Sequence, residues 1–413
     1  MHVLLLSNGH GEDLSGALLG QELQQHGVRV TAMPLVGHGG PYRSAGIPLA
    51  GRTHELSTGG LGYTNAWGQL REIWEGQLVH LWRQLRVLRR QRRSVDLVVA
   101  VGDLLPVLGA WLSGRPAAVY LVAYSSHYEG RLRLPWPCGW LLRRRRFKVL
   151  FSRDRLTAQD LTAQLGREVL FVGNPFFDLV ARNPAAQKLR QGQQSTPECL
   201  ELLLLPGSRL PEAERNLALM LQVLERLAQL PGQEQAPARL QITAALVNAL
   251  TAERVARVAQ SQGWSSAPGG QAIQRGSLMV ALRWQAFATS LRQADLVLSM
   301  AGTATEQAVG LALPVIQLAG TGPQFTPGFA EAQRRLLGPG LVCADGPATA
   351  ATTLEQTARL CQQLLQQLAD GKQREALTAR LEQVAAERIG AAGGSRAMAS
   401  AIIQLDQHSP AHA

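Results

Sequence analysis

Cysteine is scarce: only Cys138, Cys199, Cys343 and Cys361 occur in 413 residues, and no two form a CxxC pair. That scatter argues against a structural zinc site and a disulfide framework, and fits a reducing cytoplasm. Lysine is scarcer still: Lys148, Lys188 and Lys372 are the only three in a Lys+Arg total of 41. There is no Asp-x-Asp pair and no H-E-x-x-H cluster. The one H-x-E match, His127 to Glu129, lacks the P-C-x-x-C partner of a deaminase-type zinc site. No metal and no cofactor is expected. Long apolar runs are missing too. The longest candidate, Val95 to Leu112, contains Asp96, Asp103 and Pro106, which suit a strand, loop and helix better than hydrocarbon. The opening "MHVLLLSNGHGED" lacks a basic n-region and turns early to glycine and acid, so it reads as a first strand rather than a signal peptide.

What is present is a globular composition, 46% hydrophobic and 17% charged, long enough for two domains with a core each. The net charge of +11 is concentrated, with fifteen Lys/Arg against five Asp/Glu between Arg71 and Lys148. Its densest parts are "WRQLRVLRRQRR" (Trp82 to Arg93) and "RLRLPWPCGWLLRRRRFK" (Arg131 to Lys148). The second sets Arg143, Arg144, Arg145 and Arg146 beside Trp136, Trp140 and Leu141, a mixture that suits an anionic membrane surface. A solvated, arginine-biased helix face is the plainer alternative. Nucleic acid ranks last and is not expected as a partner, because no zinc-finger spacing or RNP-like aromatic motif accompanies the charge.

Short apolar strands alternate with amphipathic helical segments, the pattern of a parallel sheet covered on both faces. Expected strands in the first half are His2 to Ser7, Val28 to Met33, Val95 to Val101, Ala117 to Val122, Lys148 to Phe151 and Val169 to Val172. Those in the second half are Leu202 to Leu205, Gln241 to Leu246, Leu296 to Ser299 and Pro314 to Gln317. The polar, proline-containing "RNPAAQKLRQGQQSTPE" between them reads as a linker. The expected division is therefore a first domain 1–181, a linker 182–198, a second domain 199–390, and a C-terminal helix and tail 391–413 available to pack back on the first domain. The fold class is α/β, two doubly wound Rossmann-like domains whose strand ends would face a central cleft, with function in the strand-to-helix loops.

The loop in "LLLLPGSRLPEAERN" ends a buried strand and precedes a helix marked by Pro211, Glu212 and Glu214, so free N–H groups and a positive dipole end are available to an anion. Gly207 and Ser208 form the turn, and Arg209 adds a bidentate donor suited to phosphate. A second loop, in "ADLVLSMAGTATEQAVGLALPVI", has Gly302 for close backbone approach, with Thr303, Ala304 and Thr305 opening a helix. Glu306 there is either the acid of a Thr303–Glu306 capping box or the acceptor for two ribose hydroxyls. Together the two loops describe a nucleotide-diphosphate site. The first loop, "SNGHGEDLSG", differs: GxGxxG breaks at Leu14, GK[ST] is missing, and Glu12 with Asp13 would repel pyrophosphate. Asn8, Gly9, Gly11 and Glu12 are therefore read as meeting a sugar or acceptor. His10 and Asp103 are the candidate general bases, each with a plainer reading as a cap or loop residue.

The motifs "LLPGSRLPEAERN", "GNPFFD" (Gly173 to Asp178), "SMAGTATEQAVGLALPVI" and "NGHGEDLSGA" resemble, in order and spacing, lipid-A-disaccharide synthase, above all the divergent cyanobacterial and plastid-type group related to it. The resemblance covers most of the chain. It implies a GT-B glycosyltransferase, metal-independent and inverting, that uses a UDP-sugar donor at the cytoplasmic membrane face to glycosylate a lipid. Three acceptor-side motifs depart from that family: the opening Asn8–Asp13 pattern, "GDLLPVLGAW", which keeps Asp103 but loses a second acid, and "AYSSHYEG" (Ala123 to Gly130). The donor class thus carries over better than the acceptor. Rival expectations are a non-hydrolysing UDP-sugar epimerase and a non-catalytic nucleotide- or lipid-binding homologue. The sequence leaves the oligomeric state open.

Overall fold

A computed structural model describes residues 1–51, 77–181, 198–231, 239–320 and 327–407. The chain forms two compact units, Met1–Asp178 with Gly390–Ala413, and Leu179–Ile389. The expected linker, 182–198, lies outside the described residues apart from Glu198.

The first unit is built on β1 (His2–Ser7), β2 (Arg29–Pro34), β3 (Leu97–Val101), β4 (Ala117–Leu121) and β5 (Phe147–Ser152), in the order β2-β1-β3-β4-β5 and parallel throughout. Every residue of β1, β3 and β4 is buried, as a sheet covered on both faces requires. Leu4, Leu6, Val98 and Val119 pack into one apolar layer, and Val3, Leu5, Val99 and Tyr120 into the other. The expected strand Val169 to Val172 reduces to a single bridge, Leu170 to Phe151. The order in which strands are added reverses between β1 and β3, so the loops after β1 and β3 share the topological switch point.

The C-terminal helix Gly394–Gln407 belongs to this unit, burying Met398, Ala399 and Ile402 in the second layer. Its start is held by Asp178, whose carboxylate accepts from the N–H groups of Gly393 (2.6 Å), Gly394 (3.2 Å) and Ser395 (2.9 Å).

The second unit contains β6 (Cys199–Leu205), β7 (Arg239–Leu246), β8 (Ser265–Ser266), β9 (Ala272–Arg275), β10 (Leu278–Trp284), β11 (Leu296–Ser299), β12 (Val315–Gln317) and β13 (Leu341–Cys343), ordered β13-β12-β11-β6-β7-β10-β9-β8. Six strands are parallel, and β9 and β8 extend the sheet antiparallel through a hairpin at Gly276. The helix Glu212–Gln229 lays Leu217, Met220, Leu221 and Leu224 on this sheet at the three-and-four spacing of an amphipathic helix. Here the switch point falls between β6 and β11.

Candidate functional site

In the second unit the switch-point loops touch. Gly207 (φ +104°) occupies a backbone region that favours glycine, and a Cβ built there would lie 3.1 Å from the Met300 carbonyl oxygen of the neighbouring loop. Asn216, in the helix Glu212–Gln229, donates to the Pro206 carbonyl at 2.8 Å and fixes the turn from below. Its identity was legible only as part of the quoted motif. Pro211 is the residue before that helix rather than its first residue. Ser208 and Arg209 are exposed, and the Arg209 guanidinium makes no hydrogen bond or ion pair among the described residues. It is a cation on a tight turn, available to an anion.

The second loop starts the helix Thr303–Gly310. Gly302 is its N-cap and makes no side-chain cap, so Thr303 is already inside the helix and the capping box does not form. Glu306 sits at the fourth helical position, buried, one residue beyond the place a capping-box acid holds. Thr305, expected among the donor contacts, belongs instead to the scaffold. Its hydroxyl is 2.7 Å from Ser299 Oγ and donates to the Ala301 carbonyl at 2.7 Å, and its N–H donates to the Gly302 carbonyl at 3.0 Å. Gly302, Thr303 and Ala304 remain part-exposed, and the first-turn N–H groups of Thr303 and Ala304 have no helical acceptor.

At the first unit's switch point, Asn8 joins two acids. Its N–H donates to Glu12 Oε2 at 2.7 Å and its Nδ2 to Asp103 Oδ2 at 3.1 Å. Asp103 Oδ1 accepts from Leu105 N at 2.9 Å, so the plainer reading of Asp103 as a helix cap holds for one of its two oxygens. Burial pushes the Asp103 carboxyl above its usual range, with the Leu105 and Asn8 hydrogen bonds opposing. Burial, then the charge of Asp103, push Glu12 well above it. Gly102 (φ +134°) makes the approach possible, since a Cβ there would overlap the Glu12 carboxyl. Asp13 is buried and accepts from Ser7 Oγ at 2.6 Å, with Tyr42 OH donating to Ser7 Oγ at 2.9 Å. Gly9 precedes and Gly11 lies within the helix His10–Gln25. His10 opens that helix, and its side chain lies outside the described residues.

The segment "AYSSHYEG" forms a network that sequence reasoning missed. Fully buried Asp154 accepts from Ser125 Oγ (2.7 Å), Thr157 N (2.8 Å) and Thr157 Oγ1 (2.7 Å), with His127 Nε2 at 3.6 Å. Tyr124 OH accepts from Leu104 N at 3.1 Å and ties this segment to the Asp103 loop. Among the described residues, no three His, Cys, Asp or Glu side chains are grouped as a metal site requires.

The basic–aromatic segment borders a groove of about 840 Å³ lined by Arg131, Leu134, Trp136, Trp140, Arg143 and Leu165. Trp136 is 88% and Trp140 48% exposed, whereas Leu141, expected on the surface, is 1% exposed because its helix turns it into the core beside Leu142 and Phe147. Arg143, Arg144 and Arg145 are exposed, Arg144 stacking 3.9 Å above the Trp140 ring. Arg146 is held inward by Trp111, through its carbonyl at 2.8 Å and its ring at 4.5 Å. No helix among the described residues is long and apolar enough to cross a membrane.

No family model and no curated protein matches the chain. Solved structures do. MurG from Acinetobacter baumannii is similar over 98% of this chain and 99% of its own, with TM-score 0.56 and 15% identity. The spinosyn rhamnosyltransferase SpnG, complexed with thymidine diphosphate, matches over 98% and 100% at TM-score 0.56 and 16% identity. The UDP-GlcNAc 2-epimerase of Neisseria meningitidis, bound to UDP-GlcNAc, matches over 98% and 100% at TM-score 0.52 and 14% identity. The fold is thus α/β of the GT-B kind, with two Rossmann-like domains, one sheet parallel and the other mixed.

Proposed function

We propose that this protein transfers a sugar from a UDP-sugar to a lipid acceptor, with inversion and without a divalent ion, at the cytoplasmic face of a membrane. The observation that carries the reading is the pair of touching loops after β6 and β11, where the unpaired Arg209 guanidinium, the N-terminal N–H groups of Thr303 and Ala304, and Glu306 are brought onto one switch point. That set matches a nucleoside diphosphate: N–H groups and a guanidinium for the phosphates, a carboxylate for ribose hydroxyls. The ligands named for the similar structures, thymidine diphosphate and UDP-GlcNAc, are of this class.

In this reading the diphosphate rests on Gly207, Ser208, Arg209 and the Gly302–Ala304 turn. Arg209 and the helix dipoles stabilise the negative charge that develops as UDP leaves, the part a divalent ion plays elsewhere. Asp103, held by Asn8 and flanked by Glu12, takes the proton from the attacking hydroxyl. The lipid is presented by the groove carrying Trp136 and Trp140, with Arg143, Arg144 and Arg145 toward anionic headgroups.

The test is UDP release from a panel of UDP-sugars in EDTA, with and without lipid alcohols, in wild type, Arg209→Ala and Glu306→Ala. Expected, with the fold intact, are a loss of lipid-dependent turnover of at least ~100-fold in Arg209→Ala, since removal of one such charge-stabilising donor costs about 10²–10³, and a loss of turnover in Glu306→Ala through the missing acceptor for the ribose hydroxyls. Near-normal rates in both would sink the assignment. Epimerisation of a free UDP-sugar is the second reading, favoured by the epimerase among the similar structures, and would show as formation of the epimeric UDP-sugar without any lipid and without UDP release.

A further inference from the structure

Gln333 and Gln317 take no part in the motifs above, yet both are buried, Gln317 with no exposed surface. Gln333, on the helix Pro327–Leu337, donates from Nε2 to the Gly302 carbonyl at 3.1 Å, and its Oε1 accepts from Gln317 Nε2. The polarity of this relay is forced. A carbonyl only accepts, so Gln333 must turn its NH₂ to Gly302 and its oxygen to Gln317; Gln317 must then present its NH₂ to Gln333. Its own Oε1 is left with no donor among the described residues. A reversed amide would set oxygen against the Gly302 oxygen. The relay therefore holds one carbonyl in one direction and ends in an open acceptor.

That carbonyl matters because Gly302 caps the helix Thr303–Gly310. It also accepts from Thr305 N (3.0 Å) and Glu306 N (3.4 Å), so Gln333 is its third donor. With its oxygen engaged from inside, the peptide plane between Gly302 and Thr303 is fixed with its N–H on the opposite side, where an anion would sit. Rotation of this plane would turn a carbonyl dipole toward the phosphate. We propose that Gln333, oriented by Gln317, is a positioning residue for the diphosphate of a bound nucleotide: it acts through the Gly302 peptide and does not touch the ligand. This rests on the nucleotide reading of the second unit.

The experiment is calorimetric titration of the full chain with UDP and with UMP, for wild type, Gln333→Met, Gln333→Glu and Gln317→Met, with melting temperature recorded without nucleotide. Loss of one oriented donor is expected to weaken UDP roughly tenfold in Gln333→Met. Gln333→Glu, which puts an acceptor against the carbonyl, should weaken it further. Gln317→Met, which leaves Gln333 in place, should have the smallest effect. UMP affinity should change far less than UDP affinity, so the UDP/UMP preference falls. A merely structural role would lower the melting temperature and affect both nucleotides alike, and that outcome overturns the proposal. Equal UDP affinity in all four proteins overturns it too while leaving the nucleotide reading standing; no UDP binding by wild type removes both.

Discussion

Asp13 shows what a residue's surroundings add to its type. At the first turn of a helix an aspartate is ordinarily stabilised by the dipole. Here burial dominates, and despite the Ser7 hydrogen bond it raises the Asp13 pKa to about 7. The folded state therefore favours the proton more than the unfolded chain, whose aspartates titrate near 3.9. The contribution to stability is fully present below about pH 4 and is lost as pH rises through about 7. Asp13→Asn keeps an oxygen for Ser7 without the charge. Its stability relative to wild type, from urea unfolding between pH 4 and 8, should grow with pH by at most ~4 kcal/mol, at about 1.36 kcal/mol per pKa unit. A constant difference across that window would mean that Asp13 ionises freely in the fold. The sequence showed Asp13 only as an acid unsuited to pyrophosphate; that it sits under Ser7 and Tyr42 follows from contacts over 35 positions, which no local pattern reports. That Arg209 is an exposed cation on a turn was legible, because a turn residue keeps its exposure wherever the chain goes. Thr305 was not, since its hydroxyl is spent on Ser299 and Ala301.

Among the elements, legibility followed burial on both faces. The strands β1 and β11 appear with the expected ends, and β3 and β4 nearly so, because an unbroken apolar run between turn residues admits little else. The hairpin β9–β10 escaped notice. Its inward residues Ile273, Val280 and Leu282 alternate with polar or exposed ones at the sheet margin, a weaker signal than a run. The C-terminal helix was legible as a helix, but its anchor was not, since Asp178 lies 215 to 217 residues from the N–H groups it accepts. Asp178→Ala leaves those three groups without their acceptor. The expected cost is about 2–4 kcal/mol in local opening of the helix Gly394–Gln407, given about 1.5–3 kcal/mol for a hydrogen bond to a charged group and partial recovery by water. Hydrogen exchange should quicken across that helix by one to three decades, at about 1.4 kcal/mol per decade, and leave β6 and β11 unchanged. Unchanged protection of the helix would show that apolar packing of Met398 and Ile402 alone secures it.

For the whole molecule, charge is the property the sequence distributes most unevenly, and the structure sorts it residue by residue. Arg146 is drawn inward by Trp111 and Leu141 is core, so what remains outward in that segment includes Trp136, Trp140, Arg143, Arg144 and Arg145, with Arg131, Arg133 and Lys148 also exposed. On the membrane reading proposed above, each exposed arginine contributes about 1 kcal/mol near an anionic surface, and that contribution is screened by salt. The tryptophans add a part that salt leaves nearly intact. The two parts separate in a vesicle flotation experiment. Arg143→Gln with Arg144→Gln and Arg145→Gln should reduce binding to anionic vesicles by roughly a hundredfold at low salt and by much less at 0.5 M, since ~3 kcal/mol corresponds to about two decades. Trp136→Ala should weaken binding at both salt concentrations. UDP affinity should be untouched in either variant, because these residues lie in the first unit and the nucleotide loops in the second. Flotation that is equal for anionic and neutral vesicles, and indifferent to both substitutions, would leave the segment a solvated arginine-rich surface and move the search for the lipid acceptor elsewhere on the first unit.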